Sequence, residues 1–98
     1  MNNQSAEMPS MPELRAEIDH IDRELFTLIA RRMSVAIKIG AFKRKMGIPV
    51  KDPVREAQLK LQLKEFAANV LEPRHVEELA AVLIRISHDL QTTESTDN

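Results

Sequence analysis

The chain contains no cysteine, tryptophan or tyrosine, and it has only two glycines among its 98 residues. Without cysteine there can be no disulfide bond and no thiolate nucleophile, and a cytoplasmic location is expected. Scarce glycine, together with abundant Leu, Ala, Glu, Lys and Arg, favours helices over strands. The composition therefore predicts a single all-α domain with a small core.

The charges of the sequence nearly cancel, with 14 basic and 15 acidic residues and a net charge of −1. Such a chain has no general attraction for nucleic acid or an anionic membrane, and no apolar run approaches the length of a membrane span. The first residues lack the features of a signal peptide. Residues 1–11 and 92–98 read as disordered polar tails around a helical domain at 12–91.

Three helices are predicted from the spacing of apolar residues. The first runs from about Pro12 to Met46, roughly 50 Å. The second starts at Asp52 as N-cap and continues to about Val70, and the third begins near Pro73. The inward-facing residues are expected to be Leu14, Ile18, Ile21, Leu25, Leu28, Val35, Ile39, Phe42 and Met46 on the first helix, Leu59, Leu63, Phe66 and Val70 on the second, and Val76, Leu79, Leu83, Ile86 and Leu90 on the third.

The long first helix poses a packing problem for a single chain. Two helices of about half its length cannot cover its apolar stripe unless they lie end to end along it, which would leave a thin and poorly buried rod. A symmetric dimer in which two long helices pair buries the stripe. The sequence therefore predicts an intertwined homodimer.

Polar residues interrupt the apolar pattern in a way that suggests an anion site. Arg32 lies on the apolar seam, and Lys43 returns to within about 20° of the same helical face about 16 Å further along. Both could reach one anion, although a seam arginine can also simply extend to solvent. Arg15 is too far from Arg32 to join it within one chain. It could reach the site from the partner of an antiparallel dimer, or it is simply a solvated arginine near a helix start.

The other two helices carry further candidates. Ser87 and Gln91 share one face of the third helix, where they either belong to a site or form the polar boundary of a fraying end. Asp52 and Glu56 suit the start of a helix, whereas a cation such as Arg55 in a first turn is electrostatically unfavourable. Arg55 therefore suggests a function beyond capping.

The segments LRAEIDHIDRELFTLIARRM, IGAFKRK, VKDPVRE and ISHDLQ, in this order and spacing, resemble the all-helical chorismate mutases of the AroQ type. The resemblance covers roughly residues 12–91. It implies an intertwined homodimer with shared active sites. It also implies that the chain converts chorismate to prephenate by a [3,3] rearrangement, a step of the shikimate pathway to aromatic amino acids, without a cofactor or metal.

The resemblance also implies roles for residues that bind the two carboxylates and the breaking ether bond. Arg15 of the partner and Arg32 would hold the carboxylates as planar forked donors. Lys43 and Gln91 would donate to the ether oxygen, which becomes more negative in the transition state.

Four more residues would bind the ring. Glu56, with the backbone near Asp52, would accept a hydrogen bond from the ring hydroxyl. Arg55 would orient Glu56 or reach a carboxylate, and Ser87 would donate to the ring carboxylate.

Three alternatives stay open on the sequence. A mutase acting on 4-amino-4-deoxychorismate would place an ammonium where chorismate has a hydroxyl, and Glu56 tolerates either. An isochorismate-pyruvate lyase would use similar cations, but an acidic Glu56 favours the mutase. A non-catalytic helical dimerisation module would keep its polar residues only to fix the register of its helices.

Overall fold

A computed structural model of the chain describes residues 8–67 and 69–93. Three helices make up this part of the chain, α1 at Met11–Met46, α2 at Pro53–Phe66 and α3 at Pro73–Thr93, and these residues contain no strand. The prediction of an all-α chain with a long first helix is confirmed. Most of both predicted tails, at residues 1–7 and 94–98, lies outside the described residues.

The ends of α1 are defined by local hydrogen bonds. Ser10 and Glu13 form a capping box, in which the Ser10 hydroxyl accepts from the Glu13 N–H at 3.2 Å and the Glu13 carboxylate accepts from the Ser10 N–H at 2.9 Å. At the other end Gly47 adopts a φ of 70°, and the Ile48 N–H donates to the Lys43 carbonyl at 2.8 Å. This left-handed glycine ends α1 and turns the chain towards α2.

Helix α2 begins as predicted but ends one turn early. The Asp52 side chain accepts from the Arg55 N–H at 3.1 Å, which confirms Asp52 as the N-cap. At the other end Phe66 and Val70 are 88% and 86% exposed, so the prediction that they face inward is wrong. The reason is that the chain already turns at Ala67 to reach the start of α3.

Ion pairs between α2 and α3 show that the two helices form an antiparallel hairpin. Near one end, the Lys64 and Lys60 ammonium groups lie 2.6 Å and 3.5 Å from Glu77. Near the other end, Glu56 lies 2.8 Å from His88. Early residues of α2 thus meet late residues of α3, as a short connection requires.

The chain divides into two compact units, residues 1–32 and 33–98. In the first unit the predicted apolar seam is exposed, with accessible fractions between 41% and 56%. In the second unit the buried apolar residues are Met33, Ala36, Val76 and Ala80. None of the helices in residues 8–67 and 69–93 combines the length and hydropathy needed to cross a membrane.

The ion pairs of Glu77 make stability depend on pH. The hydrogen bond from Lys64 lowers the pKa of the Glu77 carboxyl, partly opposed by desolvation and assisted by the charges of Lys64 and Lys60. A lowered folded-state pKa gives stability that is present above the ordinary pKa of glutamate and is lost as pH falls through the folded value.

We therefore expect Glu77→Gln to lower the melting temperature at pH 7 and to have a smaller effect at an acidic pH below the lowered pKa of Glu77. Thermal unfolding followed by circular dichroism at both pH values measures this. Glu78→Gln, on the exposed neighbouring residue, is the matched control. An equal loss at both pH values would show that the ion pairs do not stabilise the hairpin.

Candidate functional site

The second unit is built around a close approach of α1 and α3. A Cβ atom placed on Gly40 of α1 would lie only 2.8 Å from the Gln91 Cα and 2.9 Å from its Cβ. Real Cβ atoms do not approach so closely, so this position requires glycine. About two turns earlier on α1, the Met33 sulfur lies 3.6 Å from the Ser87 hydroxyl. These contacts place Ser87 and Gln91 against α1.

Ser87 and Gln91 are buried, with only 7% and 6% of their surface exposed. The alternative interpretation of these residues as a polar boundary at a fraying helix end is therefore wrong. The Ser87 hydroxyl donates to the Leu83 carbonyl at 2.8 Å. The Gln91 amide oxygen has no hydrogen-bond partner among the described residues. Leaving such a group unpaired costs about 1–3 kcal/mol, so it calls for an explanation such as a ligand.

The buried face of α3 combines two apolar residues with two polar ones. Val76, Ala80, Ser87 and Gln91 lie within about 60° of one another around the helix axis. Leu79 is 58% exposed, so its predicted inward position is wrong. The helix is rotated from the predicted apolar seam because the contact with Gly40 places Gln91 against α1.

The last turns of α1 bring two cations to this region. The Lys43 ammonium donates to the Val50 carbonyl at 2.7 Å, and the lysine is half-buried. The Arg44 guanidinium donates to the Gln91 carbonyl at 2.9 Å. Lys43 is therefore held beside the segment that leads into α2, and Arg44 bonds to a carbonyl in the last turn of α3.

The start of α2 contributes the acidic residues. The Glu56 carboxylate lies 2.8 Å from His88 Nε2, and the two side chains are 29% and 22% exposed. Because His88 directly follows Ser87, Glu56 is tied to the helix that carries Ser87 and Gln91. Asp52 and Arg55 are exposed, and Asp52 caps the helix as described above.

The two remaining predicted site residues belong to the first unit. Arg15 is exposed and Arg32 is half-buried. Their convergence with Lys43 on one anion stays a prediction.

Sequence reasoning missed two residues of this region. Gly40 was recognisable as a glycine inside an otherwise unbroken helix, which often marks a close approach of two backbones. His88 was not among the predicted site residues, yet it is paired with a candidate site residue. No local sequence signal predicts that contact, because its partner is 32 positions away on another helix.

The fold and these contacts define an all-α protein with a polar site between packed helices. The sequence model of the family chorismate mutase type II matches residues 14–92. The chain therefore belongs to this family, which confirms the family predicted from the four sequence segments.

Similar proteins of known name include enzymes of chorismate chemistry. The chain is 44% identical over 46 residues to a chorismate mutase of Methanocaldococcus jannaschii, an alignment that covers 47% of this chain and 46% of that protein. It is 38% identical over 61 residues to the T-protein of Haemophilus influenzae, an alignment that covers 62% of this chain and 16% of that protein. It is 30% identical over 63 residues to a 4-amino-4-deoxychorismate mutase of Streptomyces venezuelae, covering 64% and 61%.

The chain thus spans less than half the length of the first two of these relatives. No solved structure is significantly similar to it.

The close approach at Gly40 predicts the effect of adding one methyl group. We expect Gly40→Ala to lower the free energy of unfolding by about 1–3 kcal/mol, because overpacking against the Gln91 backbone outweighs the higher helix propensity of alanine. Urea unfolding measures the change. Ser34→Ala, at an exposed position of the same helix, is the control and should be neutral or slightly stabilising. A stabilising Gly40→Ala would mean that α1 and α3 are not in close contact.

Proposed function

We propose that this chain catalyses the rearrangement of chorismate to prephenate. The observation that carries the proposal is the buried Gln91 side chain, whose amide oxygen has no partner among the described residues. A buried amide oxygen without a hydrogen-bond partner is better explained by a ligand-binding site than by a purely structural core. Membership of the chorismate mutase type II family supports chorismate or a close analogue as the ligand.

The reaction needs no nucleophile, metal or proton transfer, because it is a unimolecular [3,3] rearrangement. The protein has to restrain the enolpyruvyl side chain over the ring and stabilise the charge that develops as the C–O bond breaks. Hydrogen-bond donors held in fixed positions, in a site partly shielded from water, can restrain the side chain and stabilise that charge.

Lys43 and Gln91 are the donors proposed for the ether oxygen. The Lys43 ammonium has three N–H donors, and the Val50 carbonyl uses one of them, so the others can serve a ligand. The Gln91 amide can turn by 180° to present its NH₂ group instead of its oxygen. Both donors gain strength as negative charge grows on the oxygen, so they lower the barrier rather than only binding substrate.

Further contacts are proposed for the ring. Ser87 would exchange its bond to the Leu83 carbonyl for one to the ring carboxylate. Glu56, with the backbone near Asp52, would accept from the ring hydroxyl. The exposed Arg55 would reach a carboxylate or orient Glu56.

The site is proposed to be completed by a second copy of the chain, with Arg15 of the partner and Arg32 holding the carboxylates. The apolar seam of α1 supports this homodimer, because water contact with so many large apolar side chains is unfavourable. Its members are all between 41% and 59% exposed: Leu14, Ile18, Ile21, Leu25, Leu28, Val35, Ile39, Phe42 and Met46.

The domain proposed to carry this activity is residues 12–91, and its proposed location is cytoplasmic. Two other substrates remain alternatives, isochorismate in a lyase reaction and 4-amino-4-deoxychorismate in a mutase reaction. The similarity to the Streptomyces venezuelae protein favours the second of these. A non-catalytic module would leave unexplained why the buried Gln91 amide oxygen has no hydrogen-bond partner among the described residues.

Removing either proposed ether donor should slow the reaction severely. We expect Lys43→Ala and Gln91→Leu each to lower kcat by about 30- to 1,000-fold, or ~2–4 kcal/mol in barrier, by comparison with the loss of an oxyanion-hole donor. The loss of chorismate absorbance with time gives the rate. Lys38→Ala removes an exposed lysine from the same helix and should retain wild-type activity. Full activity of Lys43→Ala would contradict the mechanism.

A site shared between protomers can be tested by mixing two inactive variants. Arg15→Ala and Lys43→Ala each damage every site in their own homodimer. After unfolding and refolding together in equal amounts, half of the dimers contain both variants, and one of their two sites is intact. We expect recovery of about a quarter of wild-type activity. Activity no greater than that of the separate variants would place Arg15 outside the partner's site.

A further inference from the structure

We propose that His88 determines the specificity of the site by donating a hydrogen bond to one oxygen of Glu56. The other oxygen then remains for the single hydrogen of a ring hydroxyl, and a ring ammonium is disfavoured. This inference rests on the proposed function, because it concerns the substrate group that Glu56 would bind.

The contact is within hydrogen-bonding distance. His88 Nε2 and Glu56 Oε2 are 2.8 Å apart, within the range of an N–H donor and a carboxylate acceptor. Both side chains are more than two-thirds withdrawn from solvent, so water screens the interaction less than at an open surface. The imidazole can carry a hydrogen on Nε2 in its neutral and its protonated form, and the bond therefore does not require one charge state.

Glu56 and His88 both lie in helices, which fix the positions of their backbones. Glu56 lies in the first turn of α2, where its N–H donates to the Asp52 carbonyl at 3.0 Å. His88 lies between Ser87 and Gln91 on α3, both of which are buried against α1. The carboxylate is thus fixed next to the polar face of α3, and its orientation depends on His88.

The number of donors on the substrate explains the selectivity. A hydroxyl offers one hydrogen and needs one acceptor site, whereas an ammonium offers three hydrogens and a full positive charge. Among the described residues, His88 is the one partner of the Glu56 carboxylate, and it engages Oε2. The remaining oxygen matches a hydroxyl. An ammonium would compete with the imidazole for the same negative charge, and a protonated imidazole would also repel it.

A purely structural role for His88 makes a different prediction. The same two helices are tied elsewhere by Lys64 and Glu77 at 2.6 Å. If His88 were only another tie between helices, removing it would have the same consequences as removing Lys64. Lys64→Met is therefore the matched control, because it removes an α2–α3 ion pair away from Glu56.

The test compares kcat/KM for chorismate and for 4-amino-4-deoxychorismate in four proteins: wild type, His88→Leu, His88→Gln and Lys64→Met. Wild type should prefer chorismate. We expect His88→Leu to lower this preference about tenfold, the effect of one hydrogen bond to a charged group. Glutamine keeps an N–H donor, so His88→Gln should retain most of the preference, as should Lys64→Met. Circular dichroism confirms folding, and His88→Ala is a second variant that removes the donor.

The outcomes separate this inference from the proposed function. If wild type acts on chorismate but His88→Leu and His88→Ala keep its substrate preference, the role of His88 is wrong and the proposed function stands. An equal change in Lys64→Met, or a wild-type preference for the amino substrate, also overturns the inference. If wild type acts on neither substrate, both proposals fail.

Discussion

The close contact between α1 and α3 at Gly40 and Gln91 is the constraint on which the rest of the site depends. Because Gly40 has no side chain, the Gln91 backbone can approach within a distance that a Cβ atom would not permit. This approach buries Gln91 and, one turn earlier, Ser87. Without it, the polar face of α3 would be open to water, where a substrate's hydrogen bonds gain little over those of the solvent.

The hairpin of α2 and α3 places the Glu56 carboxylate beside His88 on α3. The cap at Asp52 sets where α2 begins, and this places Glu56 opposite His88. The same hairpin is held at its other end by Lys64 and Glu77, away from the polar face. The Lys64–Glu77 pair can therefore be altered without changing the proposed site, since the two ion pairs lie at different ends of one pair of helices.

The long first helix relates the fold to the proposed dimer. Its second part packs on α3, whereas its apolar seam is exposed along both units. A small core of four buried apolar residues in the described part of the chain is modest for a domain of this size. A partner that covers the seam would supply the missing apolar burial and, in the proposed function, an arginine for the site.

The sequence by itself determined the three helices, the cap at Asp52, the end of α1 at Met46 and the family, because each depends on local spacing or on residues that stand in a fixed order. It also predicted Ser87 and Gln91 as site candidates. The apolar pattern, however, predicted that their neighbours Ile86 and Leu90 face inward, one position before the residues that are buried. Only the tertiary structure decided that these two side chains are buried, that Gly40 permits it, and that His88 binds Glu56. The physical reason is that burial and pairing are set by contacts between residues far apart in the chain, which helical periodicity alone does not specify.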